Sequence, residues 1–162
     1  MSAPGKIVLA LLALLTLGLA GAATAAAVCT VSALPVAFGT YSPTSASANA
    51  STGSVTVLCQ AAAVAGSMNY TLTLSTGGSG SYGTRRLSGG GHTLNYQLYK
   101  DAAYAAVWGD GSSGAPSLSG TLSLSLVLPV SATHTVYGRM PAQQSGAFAG
   151  WYLDSVTVTV TY

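Results

Sequence analysis

The feature that most restricts the fold of this chain is an alternation of apolar and polar residues with a period of two, sustained through nearly everything beyond the first 28 residues. In Met68-Asn-Tyr-Thr-Leu-Thr-Leu74, one face carries Met68, Tyr70, Leu72 and Leu74 and the other Asn69, Thr71 and Thr73, as a half-buried strand requires. Val55, Val57 and Cys59 repeat the pattern, as do Leu94, Tyr96 and Leu98, then Leu122, Leu124, Leu126 and Leu128. Further strands are expected around Thr135 to Met140 and over Tyr152 to Tyr162. Gly, Ser and Pro clusters at 76–81, 88–91, 109–114 and 144–150 separate the runs. The one helix-tolerant stretch, Ala61 to Ala65, is too short to stand alone. About seven strands divided by turn signals predict an all-β domain, an antiparallel β-sandwich of immunoglobulin-like type.

Charge narrows the function. Of 162 residues, 5% are charged, and the five Lys or Arg and three acids leave a net charge of +2. An ordinary soluble domain carries about 25% charged residues, so Ser, Thr, Gly, Asn and Gln must keep this surface wet. Such a weak positive field cannot neutralise a row of phosphates, and nucleic acid is excluded as a partner. Three acids and two histidines are little material for acid–base or metal chemistry, so neither an enzyme nor a cofactor is expected.

The N-terminus reads as a separate object. Lys6 precedes the apolar run Ile7 to Ala20, and Gly21 to Ala27 is almost all Ala and Gly. A short positive region, an apolar core and small residues before a cut predict a secretory signal over 1–27, with the domain occupying 28–162. On this reading the chain meets a membrane only through the signal, before cleavage. The alternative is an uncleaved anchor, since Ile7 to Val28 could span a bilayer; a lipid anchor on Cys29 is disfavoured by the bulk of Val28. In the exported chain Cys29 and Cys59 are expected to form one disulfide, closing a loop that contributes roughly 3.5 to 4 kcal/mol. Free thiols or metal ligation are the alternatives, without a CxxC or a nearby His to support them.

Other candidate chemistry is bland. His92 and His134 lack acidic neighbours in sequence, and no Gly-x-Ser-x-Gly elbow occurs. Asp110, within Trp108-Gly-Asp-Gly111, is expected to close a tight turn by an Asx hydrogen bond rather than to hold calcium. Arg85 and Arg86 are expected in solvated turns. Trp108, Trp151 and the tyrosines are expected mostly in the core and on sheet faces, with an exposed apolar loop at Tyr104 to Trp108 as the exception.

The last strand carries Val156, Val158, Val160 and Tyr162 on one face and no charge, Pro or bulge beyond Asp154 to guard its edge. Either it is central in its sheet, or one flank accepts an added strand from another chain. Burying four such side chains contributes about 8 kcal/mol before association costs.

Seven motifs carry a resemblance: Phe38-Gly-Thr-Tyr41, Val55-Thr-Val-Leu-Cys59, Asn69-Tyr-Thr-Leu-Thr-Leu-Ser75, Arg86-Leu87 with Leu94-Asn-Tyr-Gln-Leu-Tyr-Lys-Asp101, Trp108-Gly-Asp-Gly111, Tyr137-Gly-Arg-Met-Pro-Ala-Gln-Gln144, and Gly150-Trp-Tyr-Leu-Asp-Ser-Val-Thr-Val-Thr-Val-Thr-Tyr162. In this order, from Cys29 to Tyr162, they resemble the spore coat protein U domain, whose family includes subunits of archaic chaperone-usher pili of the Csu type. The resemblance implies a sandwich lacking its last strand. A periplasmic chaperone fills the resulting groove first, and a neighbouring pilus subunit, delivered through an outer-membrane usher, fills it in the fibre. It implies that Val156, Val158 and Val160 line the groove from the C-terminal strand, that Val36 and Phe38 line it from the first strand, and that the carboxylate of Tyr162 anchors to the chaperone. Cys29 and Cys59 match the family's bridge.

One departure is expected to matter. A donor strand needs about 10 residues ahead of the first Cys, whereas cleavage after Ala27 leaves Val28 alone, and Gly21 to Val28 would fill pockets poorly. The expected function is therefore a secreted structural or adhesive subunit that accepts a strand without donating one. The alternative is a stand-alone secreted coat or binding domain that folds without complementation.

Overall fold

The computed structural model describes residues 27–162, and the predicted signal segment lies outside the described residues apart from Ala27. Eight strands follow in order: β1 (Ala27–Leu34), β2 (Asn49–Ala61), β3 (Gly66–Leu74), β4 (Arg85–Gly89), β5 (His92–Tyr99), β6 (Leu118–Leu124), β7 (Val130–Met140) and β8 (Val158–Thr161), with a single 3-10 turn at Gly77–Ser79. They form two antiparallel sheets, one of five strands in the order β1-β2-β7-β5-β4 and one of three in the order β6-β3-β8. The predicted sandwich is the observed one.

Alternation explains the core. Val55, Val57, Cys59 and Ala61 of β2, Met68, Tyr70, Leu72 and Leu74 of β3, Leu94, Tyr96 and Leu98 of β5 and Leu122 and Leu124 of β6 are all buried between the sheets. Each such side chain contributes about 1.5 to 3 kcal/mol of apolar burial, and a one-residue slip would turn the whole set outward. Cys29 faces Cys59 in the β1–β2 register, and the two are bonded, stapling the first strand to its neighbour.

Five expectations need correction. β4 was not expected: Arg85 and Arg86 were read as solvated turn residues, and Ser88 and Gly89 as the start of a turn cluster. The turn proper is only Gly90-Gly91, whose φ of 56° and 80° suit the two-residue hairpin matched to strand twist. Arg85 is not solvated; it is fully buried at the start of β4. Its guanidinium donates to Gln97 Oε1 at 2.6 Å, to the Ser75 carbonyl from Nη2 at 2.8 Å, and to the Trp108 carbonyl at 2.8 Å, and this satisfaction is what lets a cation enter the core. β6 stops at Leu124, and Leu126, Val127 and Leu128 are exposed. The Ser125 hydroxyl accepts from the Val127 and Leu128 N–H groups and turns the chain out of the sheet.

The C-terminal run is likewise not one strand. Leu153 exchanges two main-chain hydrogen bonds with Ser88 beside β4, at 2.8 and 3.0 Å, and the chain then crosses to the other sheet, where β8 pairs with β3. Asp154 sits at the crossing and its carboxylate accepts from Gly78 N–H at 2.8 Å, Ser155 N–H at 2.9 Å and the Tyr96 hydroxyl at 2.6 Å. Trp151, ahead of the crossing, is 91% exposed rather than in the core, whereas Trp108 is buried as expected.

Candidate functional site

The two sheets are unequal, and the smaller one leaves a strand edge at β8, the flank of a candidate groove. β8 pairs only with β3, in the register Leu74 with Val158, Thr73 with Thr159, Leu72 with Val160 and Thr71 with Thr161. Its other flank bears no strand, so among the described residues β8 is an edge. Thr157, Thr159 and Thr161 point outward, while Val156, Val158 and Val160 pack against the core and remain half-buried.

Across the groove lies the inner face of β1. Val31 opposes Val57, and Ala33 opposes Val55, on the core side of the five-stranded sheet. Val57 is completely buried, yet Val31 is 36% exposed. Facing residues of neighbouring strands share one environment, so the contrast locates where the second layer ends. Sequence reasoning missed Val31 and Ala33 as groove residues; the alternation of Cys29, Val31 and Ala33 was the signal that carried them.

Val36 and Phe38 are not on the first strand as expected, because β1 ends at Leu34 and both residues lie in the connection that follows. That connection is held without a ladder. Asn49 Nδ2 donates to the Phe38 and Thr40 carbonyls at 2.9 and 3.3 Å, and Ser51 Oγ to the Ala37 carbonyl at 2.7 Å. The side chains of Val36 and Phe38 fill the space over Gly138 that any Cβ there would need, and Phe38 meets Tyr96 edge-on with centroids 5.9 Å apart. The glycine is therefore the seat of the Val36–Phe38 pair. At the far end, the Cys29 N–H donates to the Tyr162 hydroxyl at 3.4 Å, drawing the first and last segments together. The candidate groove is thus bordered by partly exposed apolar side chains at the margin of the core: Val156, Val158 and Val160 of the C-terminal segment, Val31 of β1, and the half-buried Val36 and Phe38. An apolar border beside an open strand edge suits an extended apolar segment offering main-chain hydrogen bonds.

The remaining candidates serve other ends. His134 and His92 are not brought together: His134 Nε2 bonds the Tyr70 hydroxyl at 2.7 Å, while His92 stacks on Phe148 at 3.9 Å between centroids. Burial pushes the His134 imidazole below its ordinary pKa, and burial also raises that of Tyr70. Asp110 closes the expected Asx turn, its Oδ1 accepting from the Ser112 N–H at 2.9 Å and hydroxyl at 2.6 Å, and these bonds hold its carboxyl below the usual range.

The family model described as Spore Coat Protein U domain matches residues 14–159. Among solved structures, a chain of the crystal structure of the CsuC–CsuE chaperone–tip adhesion subunit pre-assembly complex from archaic chaperone-usher Csu pili of Acinetobacter baumannii is similar in fold. Its TM-score is 0.57 at 23% sequence identity, over 85% of this chain and 40% of that one. The present chain thus spans less than half the length of that relative. No curated protein matches it.

Proposed function

Because the chain belongs to the Spore Coat Protein U domain family, we propose that it is an exported structural or adhesive surface subunit of the archaic chaperone-usher kind, and that the groove beside β8 accepts an extended strand from a periplasmic chaperone or a neighbouring subunit. The observation that carries this reading is the pairing of a fully buried Val57 with a partly bare Val31 next to a one-sided β8. In a finished sandwich both valines would be covered. A strand laid along β8 gains main-chain hydrogen bonds and buries Val31, Val156, Val158 and Val160, each apolar side chain contributing about 1.5 to 3 kcal/mol.

The Cys29–Cys59 bond fits passage through an oxidising compartment, and the apolar segment behind Lys6 would direct the export. Partners follow from the groove: a chaperone strand in the periplasm, an outer-membrane usher during assembly, and another subunit in the assembled fibre. Val156, Val158 and Val160 would receive the donor's alternate side chains, Val36 and Phe38 would close one end of the groove, and Tyr162 would lie where a chaperone anchors the last strand.

The experiment is periplasmic expression of the full chain with and without a co-expressed archaic chaperone. The expected result is accumulation as a one-to-one complex with the chaperone and loss by aggregation or proteolysis without it. Accumulation alone, as a cooperatively melting monomer that ignores the chaperone, would overturn the proposal in favour of a stand-alone secreted domain.

A further inference from the structure

On the outer face of the five-stranded sheet, away from the groove, β5 and β7 form the floor of a cleft of about 450 Å³. Small-molecule sites occupy roughly 300 to 1,000 Å³. The floor carries Asn95 and Tyr99 of β5 and Arg139 of β7, and the walls carry Ala46 and Thr84 from flanking loops. Gln97 also lines it, but its amide is committed, with Oε1 accepting from Arg85 and Nε2 donating to the Tyr82 carbonyl at 2.7 Å. Asn95 is tied only through its main chain, which Gln144 binds at both N–H and C=O at 2.6 and 2.9 Å, so its carboxamide is left to the cleft.

Arg139 is held for a purpose its own strand does not explain. Its Cζ lies over the Tyr104 ring, 5.3 Å from the centroid, and Tyr104 in turn meets Tyr99 edge-on at 5.4 Å. Tyr104 adopts a φ of 57°, which a bulky L-residue enters only under strain. The surrounding loop compels it: the Asp101 carboxylate accepts from the Ala105 and Ala106 N–H groups at 3.1 and 2.8 Å, and the Tyr104 N–H donates to the Asp101 carbonyl at 3.2 Å. These bonds occupy the Asp101 carboxylate, and the Arg139 guanidinium, backed by the Tyr104 ring, makes no ion pair among the described residues. Arg86, opposite Asn95 in the register, adds a second exposed cation to this face.

A guanidinium fork with free N–H donors is matched to the two oxygens of a carboxylate, and the surrounding carboxamide, threonine and tyrosine hydroxyls suit the hydroxyls of a sugar. We propose that this cleft binds an acidic sugar, a hexuronic acid residue of a surface polysaccharide, with Arg139 anchoring its carboxylate and Asn95 reading an adjacent hydroxyl.

Titration of glucuronate and galacturonate into the full chain, followed by calorimetry, tests the idea, with glucose and acetate as separate arms. Saturable binding of at least one uronate is expected, weakened about tenfold or more by Arg139→Gln, with glucose and acetate each binding at least as weakly as that. Arg139→Lys keeps the charge without the fork and is expected to lose most of the affinity, which guards against a folding defect in the first variant; melting temperatures of both should match the parent. Absence of saturable uronate binding, equal binding by Arg139→Gln, or acetate binding as well as a uronate would overturn the proposal.

Discussion

Arg85 shows how one residue can support two layers of a β-sandwich. Its guanidinium joins Gln97 of β5 to the carbonyls of Ser75 and Trp108, groups that no apolar replacement could satisfy. Arg85→Ala is expected to destabilise the domain by about 3 kcal/mol or more, read from denaturant unfolding. Arg85→Lys should recover little, because an ammonium cannot reproduce the fork. His134 makes a pH-dependent contribution. Burial holds its imidazole below the ordinary pKa when folded, so as pH falls below about 6.5 the unfolded chain takes up a proton more readily. The unfolded state then binds more protons, so stability is present above that pH and declines below it. The melting temperature should fall between about pH 7.5 and 5.5, and His134→Gln should flatten part of that fall. Period and polarity made most inward positions legible. Arg85 was not, because a cation in sequence reads as surface until its three acceptors, all distant along the chain, are assembled around it.

Among the elements, the strands with unbroken alternation, β2, β3 and β5, were legible, since nothing else in those segments competes with period two. β4 was hidden by its glycines and arginines, and the C-terminal run misled for the opposite reason: its alternation continues through a crossing between sheets that only Asp154 marks. Removing that carboxylate by Asp154→Ala should cost about 1 to 2 kcal/mol. Hydrogen exchange at residues 158–161 should accelerate well before exchange in β3, since β8 rests on β3 alone. The Cys29–Cys59 bond acts at the same scale. Replacing both cysteines by Ser should lower stability by roughly 3.5 to 4 kcal/mol on the chain-entropy estimate, with β1, an edge held only by β2, the first strand to open.

In the whole molecule the two sheets do not match in number, and the vacancy beside β8 is where the function is proposed. The half-buried alternation of Val156, Val158 and Val160 was legible in the sequence, whereas the exposure of Val31 was not, because it depends on where the second layer ends. On the proposed reading the scarcity of charge takes on a meaning at this scale: Val156, Val158 and Val160 are apolar, and β8 carries no charged side chain to repel an incoming strand. The most direct measurement is the melting temperature of the full chain titrated with a peptide of about 10 residues that alternates large apolar and polar side chains. At a hundredfold excess over the dissociation constant, binding stabilises the folded state by about 2.7 kcal/mol, which for a domain of this size raises the melting temperature by roughly 10 °C and slows exchange of the β8 amides. A scrambled peptide lacking the alternation should do neither. An unchanged melting temperature at saturating peptide, with the β8 amides already protected in its absence, would contradict the account.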